Sequence, residues 1–232
     1  MAITVAPERL AQIVLEKGAH DPGQDMCLME AVAYVLGLRW TDRPQCVSPV
    51  LGAFGRSIND ALPSDIRQRL VPLIPLLPGT AQDGHDDARG YLALDWLVCT
   101  YLPTWFEQSD FMGMANELRH FGVIGDIEAA HRVGHIVKAD CNAVIDEVER
   151  INCVSNDFPV DVGDSAYRAV GAVRDLDALD ADVVATVARQ AWLAARYARI
   201  VAGLVSEVTA ELQESAINLF HRMINPEGIT TS

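Results

Sequence analysis

An all-α fold follows from three features of the sequence. Apolar residues recur at three- and four-residue steps along most of the chain, and strand-like alternation is scarce. Helix ends are marked by Pro, Ser or Asp at starts and Gly at stops. With 232 residues, half of them hydrophobic, the chain has enough apolar surface for a multi-helix globular bundle without metal or disulfide staples.

The elements read in order as follows. A first helix is expected from Pro7, a good first-turn residue, to a stop at Gly18. A second runs from Asp25 to Gly37 with Leu28, Val32, Val35 and Leu36 along its apolar side, and a third opens in SPVLGAF with Ser48 as N-cap and Pro49 at the first helical position. Ser64 opens a short fourth. In VPLIPLLPGT, Pro72, Pro75 and Pro78 recur every third residue; three prolines do not fit one regular helix, so an extended or kinked arm strapped over the core is expected.

GTAQDGHDDARG is the most loop-like stretch and suggests a division into an N-terminal helical region with its arm, 1–80, and a helical bundle, 81–232, unless the two are continuous. Helices are then expected over 86–102, 104–121, 126–152, 162–176 and 182–224. The last is long, with Gly203 as its bending point and Val184, Val187, Ala191, Ala194, Val201, Leu204, Val208 and Leu212 as its apolar row. Alternating large and small side chains in that row allow close helix approach, in the core or between copies of the chain.

Eighteen basic against 32 acidic residues give a net charge of −14. The excess is spread, with 9 basic and 15 acidic groups in residues 1–125 and 9 and 17 in the remainder. Such a field repels nucleic acid and anionic membrane and attracts a basic protein surface. The apolar runs AVAYVLGL and LALDWLVCTYL are too short for a membrane span or contain a charge, and MAITVAPERL lacks the pattern of a secretory signal. Five cysteines, Cys27, Cys46, Cys99, Cys141 and Cys153, form no C-x-x-C pair, which fits reduced thiols in a cytoplasm.

Three constellations are candidates for chemistry. Cys27 stands at a helix start, where the helix dipole favours thiolate, with His20 and Asp21 upstream as base and orienter. Leu28 and Met29 beside it argue instead for a packed thiol, because free cysteine is among the most buried residue types. NELRHFGVIGDIEAAHRVGH carries two E-x-x-H units, Glu117 with His120 and Glu128 with His131, and His135 one turn further on. With Gly122 ending one helix and Asp126 capping the next, a hairpin would bring these residues together as ligands of a divalent metal, or leave them as solvated helix ends. Asp95 lies among Tyr91, Leu92, Val98 and Cys99, so it is expected either on a narrow exposed strip or buried, and if buried then paired with Arg56 or acting as a catalytic acid. No phosphate-cradling loop, dinucleotide fingerprint, H-E-x-x-H or G-x-S-x-G occurs, so no cofactor is expected apart from that divalent metal.

The segments MCLMEAVAYVLG, CVSPVLGAF and LQESAINLFHRMI together resemble uncharacterised helical proteins of actinobacteria and their phages. The resemblance implies an all-α fold and a cytoplasmic home, and carries over no activity or site. The expectation is therefore a non-enzymatic acidic protein that binds another protein, as a phage or host modulator, an immunity-type inhibitor or an assembly component. The alternatives are a metal-binding protein or metal-dependent enzyme centred on 117–135, and a cysteine hydrolase or transferase built on Cys27.

Overall fold

In the computed structural model, the residues described are 7–23, 25–108, 111–126, 128–130, 132–134, 136–137, 139–140, 143 and 206–226. They are helical, as expected. They contain no strand, only an isolated bridge between Leu15 and Met26. No helix among them is long and apolar enough to cross a membrane. The chain forms two compact units, residues 1–90 with 210–232, and residues 91–209.

The first unit is built on helix α3, Pro49–Ala61. Ser48 caps it as the sequence predicts, its hydroxyl accepting the Leu51 N–H at 3.3 Å, and Pro49 occupies the first turn, where no N–H is needed. Helix α2, Leu28–Val35, packs against α3 through Leu28 and Met29. Helix α8, Ser206–Ile224, is buried along Leu212, Ala216, Ile217, Leu219, Phe220 and Met223, and Phe220 stacks on Phe54 of α3 at 6.0 Å. Gly55 makes this approach possible. A methyl group there would stand 2.9 Å from Met29 Cε and 3.0 Å from Phe220 Cζ.

Two buried arginines hold the ends of these helices. The last carbonyls of a helix have no partner within it and carry its negative dipole end, so a guanidinium is well matched to them. Arg67, in the short α4 (Ser64–Arg67), donates from Nε to the Asn59 carbonyl at 2.6 Å and from Nη2 to the Leu62 carbonyl at 2.8 Å, closing α3. Arg89, fully buried, does the same for α8, with Nε on the Met223 carbonyl at 2.9 Å. It also grips Asp83 at 2.7 and 2.5 Å, and Asp86 at 3.1 Å.

Three expectations about element boundaries are corrected. The first helix, α1, covers only Pro7–Leu10. Beyond it Ile13 and Leu15 are buried while Val14 is 59% exposed, an alternation that belongs to extended chain. Gln68 fixes that stretch by bonding both the N–H and the carbonyl of Leu15, at 2.9 and 3.0 Å.

The proline-rich segment is a 3-10 helix, Gln68–Leu76. With three residues per turn, the proline period becomes the helix period. Leu70 and Leu73 form one buried row and Ile74 and Leu77 another, while Pro72 stands exposed.

The third boundary falls between Gln108 and Met112 and not at Pro103. Helix α5, Asp86–Trp96, runs through a π-turn at Leu97–Tyr101 into α6, Leu102–Gln108. Proline lacks the N–H a regular helix requires. The wider turn shifts the register before it, with Leu102 N–H bonding the Leu97 carbonyl, and Thr104 Oγ1 takes up the Thr100 carbonyl at 2.7 Å.

In the second unit the π-turn, α6 and α7, Met112–Arg119, enclose Trp96, Tyr101 and Trp105, whose rings follow one another at 5.7 and 6.1 Å. Gly122 adopts φ of 101° in the turn after α7, and Asp126 caps the next helical stretch by accepting the Ala129 N–H at 2.7 Å, both as predicted. The expected helix over 162–176, the part of the 126–152 helix beyond 143, and the 182–205 part of the last expected helix, 182–224, with Gly203, lie outside the described residues.

Candidate functional site

Cys27 occupies the N-cap of α2, one position before the helix proper and two beyond the expected start at Asp25. It is 2% exposed. Burial pushes its thiol up to about 12, and the negative charge of Glu30 adds to the shift. The dipole effect anticipated from its helix-start position is therefore outweighed by desolvation.

Glu30, the source of that charge, is also buried and lies three residues on. Its carboxylate accepts the Cys27 N–H at 2.8 Å and the His20 N–H at 2.8 Å, and meets His20 Nδ1 at 3.0 Å. Burial alone would raise Glu30, but the hydrogen bonds from His20 and Cys27 prevail and hold it below the usual carboxylate range. His20 is held from its other side by Trp40 Nε1, which donates to its carbonyl at 2.7 Å. Asp21 is exposed. His20 and Cys27 thus share one carboxylate, and that carboxylate stabilises thiol over thiolate.

Asp95 is half-buried and accepts the Ile124 N–H at 3.0 Å, fixing the turn after α7. The Cys99 thiol is pushed up to about 12 by burial and by Asp95. Arg56, the partner expected for Asp95, donates Nη1 to the Asp42 carbonyl at 3.0 Å.

Of the E-x-x-H residues, Glu117, His120 and Glu128 are exposed, while His131 and His135 lie outside the described residues. His120 Nδ1 is 2.8 Å from the Asn116 carbonyl. Among the described residues no group of three His, Cys, Asp or Glu side chains is placed to hold a metal. The charge of Glu117 acts on a second acid. Asp140 is 8% exposed, its Oδ2 has no hydrogen-bond partner among the described residues, and burial with the charge of Glu117 pushes it up to about 6.

One feature of the first unit was missed by sequence reasoning. A cleft of about 710 Å³ opens beside the first turns of α3, with Arg43, Arg56, Gln45 and Gln82 on its walls. The available signal was Arg56 itself, eight residues after the N-cap and four after Gly52, which puts all three on one helix face.

No family model, curated protein or solved structure matches this chain.

Proposed function

We propose that this chain is a non-enzymatic acidic protein that acts by binding another protein, one with a basic surface, in the cytoplasm. Modulator, immunity-type and assembly roles all need that chemistry. The observation that carries the reading is the acidic excess of −14, presented by exposed side chains that include Asp21, Asp25, Asp65, Asp87, Glu117 and Glu128. A surface of one sign favours encounter with the opposite sign and rejects polyanions. The closed Cys27–Glu30–His20 arrangement supports the same reading, since it uses a would-be nucleophile as the start of a helix.

The test begins with affinity capture from the source cell and identification of the bound protein. Binding of that purified partner is then measured with the wild-type chain and with Cys27→Ala. A stoichiometric complex of equal affinity in both is expected. A chain that forms no complex, or an effect on the partner that needs the Cys27 thiol, would contradict the proposal.

A second reading, a divalent-metal protein, is favoured by one observation: the buried Asp140 has an oxygen with no hydrogen-bond partner among the described residues and feels the charge of Glu117. Metal analysis of the purified protein tests it, with chelation expected to lower Tm if a bound metal stabilises the fold.

A further inference from the structure

We propose that the cleft beside α3 binds a small organic anion, whose acid group docks between the guanidiniums of Arg56 and Arg43 and whose body rests on the apolar wall. The inference goes beyond protein binding and stands on different residues.

Ion pairing sets two arginines apart from the others. Arg67, Arg69, Arg89 and Arg119 each meet a carboxylate. Arg56 and Arg43 form no ion pair within 4 Å among the described residues, although the charges of Asp42 and Asp60 act on Arg56 from further away. Arg56 is half-buried and gives one N–H to the Asp42 carbonyl. A desolvated guanidinium with unused donors is a strong receptor for a carboxylate or phosphate, which it can grip with two parallel hydrogen bonds.

A glycine places the Arg56 guanidinium. A methyl group on Gly52 would stand 3.3 Å from Arg56 Nη1, so the side chain lies back along α3 over the glycine. Gly52 therefore leaves room for the charge to rest at the cleft wall. Asp86 also lines the cleft, but its Oδ1 already accepts from the Ser48 hydroxyl and from Arg89 Nη1. Arg89 shares its charge between Asp83 and Asp86, so that oxygen is engaged within the protein, and Arg56 and Arg43 are the groups on the cleft wall that can receive an anion.

Gln82 adds a donor at the cleft. Its φ of 64° is the one positive value for a non-glycine among the described residues, a left-handed conformation that side chains other than glycine adopt at a cost. Glycine would relieve that strain, yet a glutamine stands there and lines the cleft, where its amide can donate to a bound oxygen. Val47, Pro44 and Pro49 supply the apolar wall. The volume suits a small molecule, and the net charge of −14 disfavours a polyanion.

The test is an amide-resolved NMR titration of the full chain at constant ionic strength, with phenyl phosphate and benzoate as probes. Inorganic phosphate tests the acid group alone, and sodium chloride is the control. Saturable shifts confined to residues 43–56 and 80–86 are expected with at least one organic probe. Arg56→Gln should weaken binding by about tenfold or more, as loss of a charged hydrogen-bond donor does. Arg43→Gln, at an exposed position with little bearing on folding, should weaken it in the same direction and decides the matter if Arg56→Gln does not fold. Gly52→Ala should weaken binding while keeping both charges. No saturable shift with either organic probe, equal shifts with chloride, or affinity unchanged in the folded arginine variants would each overturn the proposal.

Discussion

Glu30 accepts the backbone N–H of Cys27 at 2.8 Å, so the residue that starts α2 is anchored by the carboxylate of the helix's own first turn. The same carboxylate binds His20, tying the preceding loop to the helix. Replacing Glu30 with Gln removes one acceptor from a buried three-donor site, and a cost of about 1–3 kcal/mol is expected for the group left unsatisfied. The pH dependence has a definite sign. Folded Glu30 titrates below its unfolded value, so its contribution is complete above the ordinary carboxylate range and is lost as pH falls through the folded pKa. Urea unfolding of wild type and Glu30→Gln should therefore show a gap at neutral pH that narrows on acidification. A gap independent of pH would refute the assignment.

Cys27 should behave as a packed thiol. With its thiol pushed up to about 12 and almost no exposed surface, iodoacetamide at neutral pH should leave it unlabelled in the native chain and label it in denaturant, as read by peptide mass spectrometry. Native labelling faster than that of a free thiol would restore the nucleophile reading.

Arg89 joins the loop before α5 to the end of α8 through buried hydrogen bonds. Arg89→Met keeps much of the volume and removes every one of those bonds. A loss of about 3–5 kcal/mol is expected from the groups left unpartnered. Circular dichroism during thermal unfolding checks it, and a change under about 1 kcal/mol would show that the network contributes little.

Asp140 has the opposite pH sense to Glu30. Its carboxyl, pushed up to about 6, favours the protonated folded state, so stability falls as pH rises from the unfolded pKa to the folded one. Asp140→Asn removes the buried charge and should stabilise the protein by about 1–2 kcal/mol at neutral pH, a gain that fades on acidification. Destabilisation of the variant at neutral pH, widened by added divalent metal that stabilises the wild type alone, would favour the metal reading.

Local signals in the sequence carried most of the helical framework. Ser48 and Pro49 announce α3, Asp126 announces the stretch after the turn, and Gly122 marks the turn itself, because each acts on backbone within a few residues. The errors fall where distant groups decide. Leu15 is fixed by Gln68, 53 residues later, so the end of α1 was not written in its own neighbourhood. The prolines at 72, 75 and 78 showed that an α-helix was excluded, but the choice of 3-10 helix depends on burying Leu70, Leu73 and Ile74 beneath it.

The candidate site was partly legible on the same terms. The position of Cys27 at a helix start could be read from sequence, whereas the competition between dipole and desolvation could not, since burial depends on the packing of α2 against α3. Arg56 stood out as a charge in an apolar segment. Its surroundings come from loops at 43–47 and 80–86 that no local rule brings together.

The central claim is that the acidic surface recognises a basic protein. It is tested most directly by stopped-flow association of the purified chain with its captured partner across ionic strengths. The account predicts an association rate that falls by about tenfold or more from low to physiological salt, with dissociation changing much less, as electrostatic steering requires. An association rate indifferent to salt would contradict it.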